Sequence, residues 1–446
     1  MKPLLLILAG SLMITSCKKF LDEKPDPTLS TVNTLDDVQE LLDNFRKYFG
    51  GEMALTACDD YYLTEAEWQA RQEKDRNIYL WHPTQTSYYE WNGAYDQLLH
   101  FNTALTNAEK AKTGRIVKNR DHLRGACLTI RSEIFLRLAQ QFAIQYNSTD
   151  AGTEPGIVLR FSEDYNEKIV RSDLKTTYGQ IVKDLESAIP LLPAQSLYKH
   201  RPTKASAWGL LARTCLQMAN YPKAREAADA SLKEHHQLLN YNTCNAAEEY
   251  PLSRFETNPE ILLYRVNENG IAAPFVMPRV DTNLLLLYKE NDLRKEMYFS
   301  PTSDGADFYR GTYAIGGMNF TGLTVSEVYL IRAECAARAG DTQAALDDIN
   351  TLLQARYKAG HFVPETAANA AAALELVLTE RRKEMLLRGQ RWGDIKRLNR
   401  EPGRAITLTR KIGTNTYTIP PNDPRYAFLI PPEVMMFKPD IPQNPR

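Results

Sequence analysis

The sequence predicts an all-α protein whose helices are joined by long irregular loops. Apolar residues recur every three or four positions in several segments, which is the period of an amphipathic helix. Short turns rich in Gly, Asn or Pro separate some of these segments. The last 46 residues hold nine prolines, a content that excludes a regular helix and predicts an extended chain on the surface.

Seven periodic segments are expected to form the main helices. They are residues 121–146, 177–189, 203–219, 223–235, 324–339, 342–356 and 367–389. Two of them pair with the next segment across a short turn, and small residues such as Ala224 and Ala344 lie where two helices must approach closely. This helix–turn–helix pattern resembles the tetratricopeptide repeat. The two helical pairs begin about 120 residues apart, so insertions must interrupt any array of repeats.

The N-terminus has the pattern of a secretory signal. Lys2 precedes an apolar run over residues 4–14, which is too short to span a membrane. Ile14-Thr-Ser-Cys17 follows and resembles a bacterial lipobox, so residues 1–16 are expected to be removed and Cys17 to carry lipid. The alternative is an ordinary signal cleaved beside an unrelated cysteine. Residues 17–33 then form the anchor and tether, and residues 34–260 and 261–446 form one compact body.

Five cysteines remain after Cys17, and no two have the spacing of a zinc or redox motif. Cys127, Cys215 and Cys335 lie in apolar helical segments, where cysteine usually acts as a small hydrophobe. Mostly free, buried thiols are therefore expected, and a bridge between Cys58 and Cys244 stays open.

Charge and motif content exclude several classes of function. The net charge of −1 is unlike the basic surface that nucleic-acid binding requires. None of the sequence motifs for hydrolases, metalloproteases, or nucleotide binding occurs, and the seven histidines are scattered. The sequence therefore predicts no catalytic residues, no metal site, no cofactor and no nucleic-acid partner.

An aromatic cluster is the main candidate for ligand recognition. Nine Tyr or Trp residues fall between positions 61 and 95, where about two are expected from the composition. Trp91 and Tyr95 lie four apart at the start of a helical segment and are assigned to the core. The remaining candidates for surface contact are Tyr61, Tyr62, Trp68 and Trp81, with ordinary packing as the open alternative.

A second, weaker candidate is a glycine-rich segment that holds Phe308, Tyr309 and Tyr313. Tyr309 and Tyr313 are taken from it as candidate ligand residues.

Motifs along the whole chain resemble those of the SusD/RagB family. They are Cys17-Lys-Lys-Phe-Leu-Asp-Glu-Lys-Pro25, Trp91-Asn-Gly-Ala-Tyr95 with Asn102, residues 323–334 (LTVSEVYLIRAE), Glu380-Arg-Arg-Lys-Glu384, Arg391-Trp-Gly-Asp394 and Ile430-Pro-Pro-Glu433 with Gln443-Asn-Pro445. The resemblance implies a fold built on tetratricopeptide-like helical pairs. It also implies that the motif residues hold the fold and contact no ligand, namely Glu327, Tyr329, Glu334, Arg381, Glu384, Arg391, Trp392 and Asp394.

The same resemblance implies a function without catalysis. Members are outer-membrane lipoproteins that face the medium, capture a glycan or other nutrient, and cover a SusC-like TonB-dependent transporter. Asp22-Glu23 is similar to the signal that sends such lipoproteins to the cell surface. An oligosaccharide ligand is expected, and capture of peptides, or a lid without a ligand site of its own, are the alternatives.

Overall fold

The computed structural model describes residues 32–44, 51–164, 166–267, 270–273 and 276–446. The predicted signal peptide, Cys17 and nearly all of the tether therefore lie outside the described residues. Within them, no helix is long and apolar enough to cross a membrane.

Helices dominate the described residues. The sixteen α-helices are α1 (Leu35–Asn44), α2 (Glu52–Ala57), α3 (Glu65–Gln69), α4 (Glu73–Tyr79), α5 (Tyr88–Lys110), α6 (Arg120–Phe142), α7 (Leu174–Ala188), α8 (Lys204–Gln217), α9 (Tyr221–Glu234), α10 (Thr282–Leu285), α11 (Arg294–Tyr298), α12 (Val325–Arg338), α13 (Thr342–Gln354), α14 (Ala370–Glu384), α15 (Arg391–Leu398) and α16 (Pro432–Phe437). All seven predicted helical segments are helices, with ends displaced by a few residues.

Strands are also present, so the all-α prediction is only partly correct. The twelve short strands of the described chain are β1 (Tyr61–Tyr62), β2 (Pro155–Val158), β3 (Arg171–Asp173), β4 (Ile261–Leu263), β5 (Val266–Asn267), β6 (Arg279–Val280), β7 (Phe299–Pro301), β8 (Asp307–Tyr309), β9 (Asn319–Phe320), β10 (Leu323–Thr324), β11 (Leu408–Ile412) and β12 (Asn415–Ile419). One antiparallel sheet has the order β1-β6-β8-β7, and the other strands form two-stranded pairs. Most strands have two or three residues, which is too short for a period of two to be read from sequence.

The two predicted helical pairs, α8–α9 and α12–α13, are formed, and α9 packs against α12. Asn220 and Asp341 cap the second helix of each pair by accepting hydrogen bonds from backbone N–H groups. About 90 residues of loops and short strands separate the pairs in the chain. The structure does not confirm a tetratricopeptide repeat.

Three hydrophobic clusters form the interior. The first lies among α1, α5–α9 and the C-terminal segment, the second surrounds the four-stranded sheet, and the third lies among α12, α13 and α14. Trp392 belongs to the first cluster and stacks on Phe428, with ring centroids 5.4 Å apart and an interplanar angle of 8°. Residues from both predicted regions of the body therefore build the largest core.

Buried ion pairs join the motif residues to distant helices. Glu327 of α12 accepts hydrogen bonds from Arg213 of α8, with Nη2–Oε2 at 2.6 Å. Glu334 pairs with Arg397, with Oε1–Nη1 also at 2.6 Å. A buried charge that loses its partner costs several kcal/mol, so each pair specifies which helices lie together.

The remaining motif residues are also placed structurally. Arg381 pairs with Asp394, and Glu384 pairs with Arg356, each at 2.8 Å. Arg391 binds Asp59 with Nε–Oδ1 at 2.7 Å.

The proline-rich C-terminal segment is more regular than predicted. It contains the β11–β12 hairpin and the short helix α16, whose Pro431 and Pro432 occupy the N-terminal positions that proline tolerates. Phe428 and Ile430 are fully buried in the first cluster and dock this segment on the body. The expectation of a purely extended tail is therefore corrected.

The five described cysteines are free, and four of them are buried. This confirms the prediction of mostly free, buried thiols, and the Cys58–Cys244 bridge is not formed.

Candidate ligand-binding face

Four of the six aromatic candidates are buried. Tyr61, Trp81, Tyr309 and Tyr313 are at most 3% exposed, so their rings present almost no surface to a ligand. This burial corrects the expectation that they contribute to a recognition surface.

A single arginine, Arg410, lies among three rings of the N-terminal aromatic cluster. The Arg410 guanidinium carbon lies 3.5 Å from the ring centroid of Tyr79, 4.9 Å from that of Trp81 and 5.4 Å from that of Tyr61. Arg410 also donates hydrogen bonds to the carbonyl groups of Thr56, Cys58 and Tyr79. The aromatic rings therefore enclose a buried cation from the β11–β12 hairpin.

Tyr309 and Tyr313 lie in the second hydrophobic cluster. The Tyr313 hydroxyl is 2.9 Å from the Tyr241 hydroxyl and donates to Glu260 Oε1 at 3.2 Å. The guanidinium carbon of Arg388 lies 4.1 Å from the Tyr313 ring centroid. These contacts make Tyr313 part of a buried polar network, whereas Tyr309 packs edge-on against Tyr298 with ring centroids 5.6 Å apart.

Strand alternation separates the inner and outer aromatics of the four-stranded sheet. Tyr62 is opposite Arg279, Arg279 is opposite Phe308, and Phe308 is opposite Ser300. Residues that face each other in an antiparallel pair project from the same side of the sheet. Tyr61 projects from the other side, into the second cluster.

The outer side therefore carries a row of Tyr62, Arg279 and Phe308, each only partly buried. Neighbouring side chains in such a row are about 5 Å apart at Cβ. We call this row, together with Glu67 and Trp68 of α3 and with Asp304, the outer face.

Helix α3 begins directly after β1 and is fixed by a capping box. The Thr64 hydroxyl accepts from the Glu67 backbone N–H, and the Glu67 carboxylate accepts from the Thr64 backbone N–H at 2.8 Å. Glu67 also binds Arg279, with Oε1–Nε at 2.9 Å, while Arg279 Nη1 lies 2.8 Å from Asp304 Oδ2. This chain of ion pairs connects α3 to the sheet and to the loop before β8.

Trp68 follows Glu67 and is half-buried against the second cluster. The guanidinium carbon of Arg76 lies 5.4 Å from its ring centroid. The Trp68 ring is therefore held beside a cation, and Glu67, the residue before it in the chain, binds Arg279 of the sheet.

The acids of the outer face are ionised at neutral pH. Burial raises the pKa of Glu67, but hydrogen bonds from Thr64 and Arg279 outweigh it, and the pKa lies below its usual value. Hydrogen bonds from Thr302 and Arg279 lower the pKa of Asp304. Two carboxylates and one guanidinium thus stay fixed beside the aromatic rings.

A groove along the first half of α5 is a second aromatic surface. Its volume is about 330 Å³, and its lining includes Tyr88, Trp91 and Tyr95 of α5 and Phe437 of α16. Trp91 is buried and packs edge-on against Phe142 at 5.0 Å, as expected of a core residue.

The groove also has polar and exposed groups. Polar side chains at its wall are Asn92, Asp96, Arg160, Ser162, Glu433 and Lys438. Tyr88 is 41% exposed and Phe437 is 78% exposed. An apolar cleft with a few convergent polar groups has the general composition of a ligand site.

No three or more His, Cys, Asp or Glu residues of the described chain are grouped so that they could hold a metal ion. The acidic residues of the outer face bind arginines instead.

Sequence reasoning missed four residues of the outer face, namely Glu67, Arg279, Asp304 and Phe308. Phe308 lies in the glycine-rich segment with the candidates Tyr309 and Tyr313. A strand of three residues shows too little alternation to tell an outward-facing Phe308 from an inward-facing Tyr309. Arg279 and Glu67 are 212 positions apart in the chain, and no local pattern indicates their contact. The Thr64-x-x-Glu67 capping box was a readable signal for α3.

Comparison with known proteins gives a consistent picture. A family model described as starch-binding and associating with the outer membrane matches residues 19–216, and the model of the SusD family matches residues 294–446. No curated protein matches the chain.

Solved structures with the same fold are similar along almost the whole chain. A SusD-like carbohydrate-binding protein from Bacteroides vulgatus is 19% identical, with 92% of this chain and 97% of that chain covered and a TM-score of 0.72. A SusD superfamily protein from Bacteroides thetaiotaomicron is 20% identical, with coverages of 93% and 100% and a TM-score of 0.71. A laminarin-binding SusD-like protein is 17% identical, with coverages of 92% and 97% and a TM-score of 0.65.

Proposed function

This chain belongs to the SusD/RagB family, and on that premise we propose that it captures glycans at the bacterial outer membrane. In this proposal residues 1–16 are removed and Cys17 is lipidated. Residues 17–33 tether the body, formed by residues 34–260 and 261–446, on the exterior of the cell. Several acyl chains on one cysteine give stable attachment where a single chain binds weakly.

The outer face is the proposed glycan-binding site, and one observation carries the proposal. Tyr62 and Phe308 lie on either side of Arg279, and the half-buried Trp68 follows the Glu67 that binds this arginine. Sugar rings have apolar C–H faces edged by hydroxyl groups, so flat aromatic rings beside fixed charged groups suit both parts of a sugar. Tyr62 and Trp68 thus remain ligand candidates, joined by Phe308.

The relatives indicate which glycans to test first. One matching family model is described as starch-binding, and one solved relative binds laminarin. Starch and laminarin oligosaccharides are both glucose polymers, so they head the panel.

Calorimetric titration of the purified protein against this panel tests the proposal. We expect Trp68→Ala and Phe308→Ala to weaken binding about tenfold or more, equivalent to about 1.4 kcal/mol. Tyr89→Ala removes an exposed tyrosine from α5 and is expected to leave the affinity unchanged. Circular dichroism melting of each variant separates loss of binding from loss of folding.

The alternatives predict different results. Binding of peptides without binding of any glycan supports peptide capture. No solution binding of either class supports a lid whose ligand is held by the transporter alone.

The groove beside α5 is the second candidate surface for the same ligands, because it combines Tyr88 and Phe437 with six polar side chains. Phe437→Ala belongs in the same titrations. Loss of binding in Phe437→Ala with full binding in Trp68→Ala would move the glycan site to the groove.

We also propose a SusC-like TonB-dependent transporter as the partner that receives the glycan. Family membership supports this proposal. Co-purification from detergent-solubilised outer membranes of the native bacterium tests it, with the expected result that a TonB-dependent barrel is retained by the tagged protein. A tagged protein that retains no such barrel contradicts it.

A further inference from the structure

A cleft on the helical part of the molecule has a chemistry different from that of the outer face. Loop residues 194–203, the end of α9 with the residues after it, and the start of β4 surround a volume of about 480 Å³. We call it the basic cleft. Its volume is within the range of small-molecule sites, and it shares no residue with the outer face.

Positive charge in the basic cleft exceeds negative charge. Lys199, Arg201 and Lys233 line it, together with one acid, Glu234. Arg201 is neutralised by Asp43, because its Nε lies 3.0 Å from Asp43 Oδ1. Burial raises the pKa of Asp43, but His200 and Arg201 lower it to about 2, so this carboxylate is ionised at neutral pH.

The two lysines have no such partner. Lys199 Nζ donates to the Ile261 carbonyl at 3.2 Å, and no described carboxylate lies within ion-pair distance of Lys199 or Lys233. Lys199 is half-buried, and this burial lowers the pKa of its ammonium group. A half-buried ammonium group without a counter-charge is stabilised when an anion reaches it.

An aromatic ring lies beside these amines. Tyr198 is 47% exposed, and the Arg201 guanidinium carbon lies 4.4 Å from its ring centroid. The His200 ring centroid is 5.6 Å away. These contacts hold the ring in place, while nearly half of the residue's surface stays open to solvent.

We propose that the basic cleft binds a sugar carrying a carboxylate or sulfate group, with Tyr198 against the sugar ring and Lys199 on the anionic group. A free inorganic anion needs no aromatic ring, and a neutral sugar needs no unpaired ammonium group. The combination of the two fits an acidic sugar. This site is independent of the glycan-binding role proposed for the outer face.

Calorimetry with matched probes tests the proposal. A galacturonic acid trisaccharide carries one carboxylate on each sugar, and its carboxyl-reduced form is the neutral control. A chondroitin sulfate oligosaccharide, which carries both anionic groups, is compared with its desulfated form to measure the contribution of sulfate. We expect the wild type to bind at least one acidic probe, to bind the carboxyl-reduced trisaccharide at least about tenfold more weakly, and to lose affinity as salt rises.

Three variants locate the binding. Lys199→Met keeps the aliphatic stem and is expected to weaken acidic-sugar binding about tenfold, as is Tyr198→Ala. Lys233→Met removes an exposed charge from the end of α9, leaves the fold intact, and is expected to weaken binding by a smaller factor. Lys175→Met, an exposed lysine on α7, is the matched control and should bind like the wild type.

Several outcomes would overturn the proposal. They are no binding of either acidic probe, equal binding of the neutral control, unchanged affinity in Lys199→Met, and inorganic sulfate binding as tightly as the sugars. Trp68→Ala is expected to bind acidic sugars normally, so failure at the outer face is distinguishable from failure here.

Discussion

Arg279 binds Glu67 across the outer face, with Nε 2.9 Å from Oε1. Arg279 is the strand residue between Tyr62 and Phe308, and Glu67 immediately precedes Trp68. This ion pair therefore sets the position of the α3 tryptophan relative to the two aromatic rings of the sheet. The sheet holds Tyr62, Arg279 and Phe308 in a row, and the Arg279–Glu67 ion pair holds α3 beside that row.

Arg279→Met is expected to weaken glycan binding about tenfold with little loss of stability. Methionine keeps the aliphatic stem but releases Glu67 and Asp304, so α3 loses its connection to β6. Partly exposed ion pairs contribute about 1 kcal/mol or less to folding. Calorimetry and urea unfolding measure the two effects. Arg254→Met breaks an exposed pair with Glu248 and serves as the control. An unchanged affinity in Arg279→Met would contradict the role of the pair.

Phe308→Ala is expected to act mainly on glycan binding, and Tyr309→Ala mainly on stability. Phe308 projects from the outer face, so its truncation should lower glycan affinity and cost about 1 kcal/mol of stability. Tyr309 is 1% exposed, and its truncation leaves a cavity that costs about 3–5 kcal/mol. Urea unfolding and titration of both variants provide the test. Equal destabilisation by the two would show that the strand does not divide inner from outer side chains.

Arg410→Met is expected to destabilise the protein by about 3 kcal/mol. The change leaves the carbonyl groups of Thr56, Cys58 and Tyr79 without their donor and removes a cation from among three aromatic rings. Thermal unfolding measures the loss. Lys411→Met alters the next residue, which is exposed, and should melt like the wild type. A wild-type melting temperature for Arg410→Met would show that the aromatic cluster packs without it.

In Asp394→Asn the free energy of unfolding is expected to depend less on pH in the acidic range than it does in the wild type. Burial raises the pKa of Asp394, but Arg381 and Arg397 outweigh this and lower it to about 2, from the usual value of 3.8. Because the folded pKa is the lower one, this carboxylate stabilises the fold fully above about pH 4, and the stabilisation is lost as the pH falls toward 2.

The variant should therefore be less stable than the wild type by about 3 kcal/mol at neutral pH, and this difference in the free energy of unfolding should narrow between about pH 4 and pH 2. Urea unfolding at a series of pH values measures it. Asp347→Asn changes an exposed acid on α13 and should follow the wild-type curve. A gap that stays constant with pH would exclude the two arginines as the cause.

Cys17→Ser is expected to remove the protein from the outer-membrane fraction. Serine has no thiol for lipid attachment, so the proposed anchor is lost. Membrane fractionation and metabolic labelling with a fatty acid measure the change. Cys244→Ser is the control, since that thiol is free and lies in the folded body. Membrane retention of Cys17→Ser would contradict the lipobox.

The seven predicted helices were readable from this sequence because each one displays its own apolar period, whereas helices as short as α3 and α10 do not. Residues 204–234 show two amphipathic runs around a turn, and both helices are present. The β11–β12 hairpin had a comparable signal, with two alternating runs separated by Gly413-Thr414, but the prolines around it favoured an extended interpretation. The two-residue strands leave no period to detect.

The candidate site was predictable only in part, because burial depends on residues far along the chain. In the sequence, Trp81 lies in an irregular segment and is a candidate for surface contact. In the structure it is buried beside Arg410, a residue more than 300 positions later in the chain. Trp68 stays partly exposed, with its ring packed against the second cluster and beside Arg76. The high content of Tyr and Trp identified residues 61–95 as a candidate region. Contacts with residues far along the chain determine which of its rings are exposed to a ligand.

The N-terminal aromatic cluster can be completed only after Arg410, near the end of the chain, has been synthesised. The partners it joins, at positions 56–81, emerge from the ribosome hundreds of residues earlier, and loop closure over such a separation is slow. A chain cut short before residue 408 leaves these rings around an empty centre.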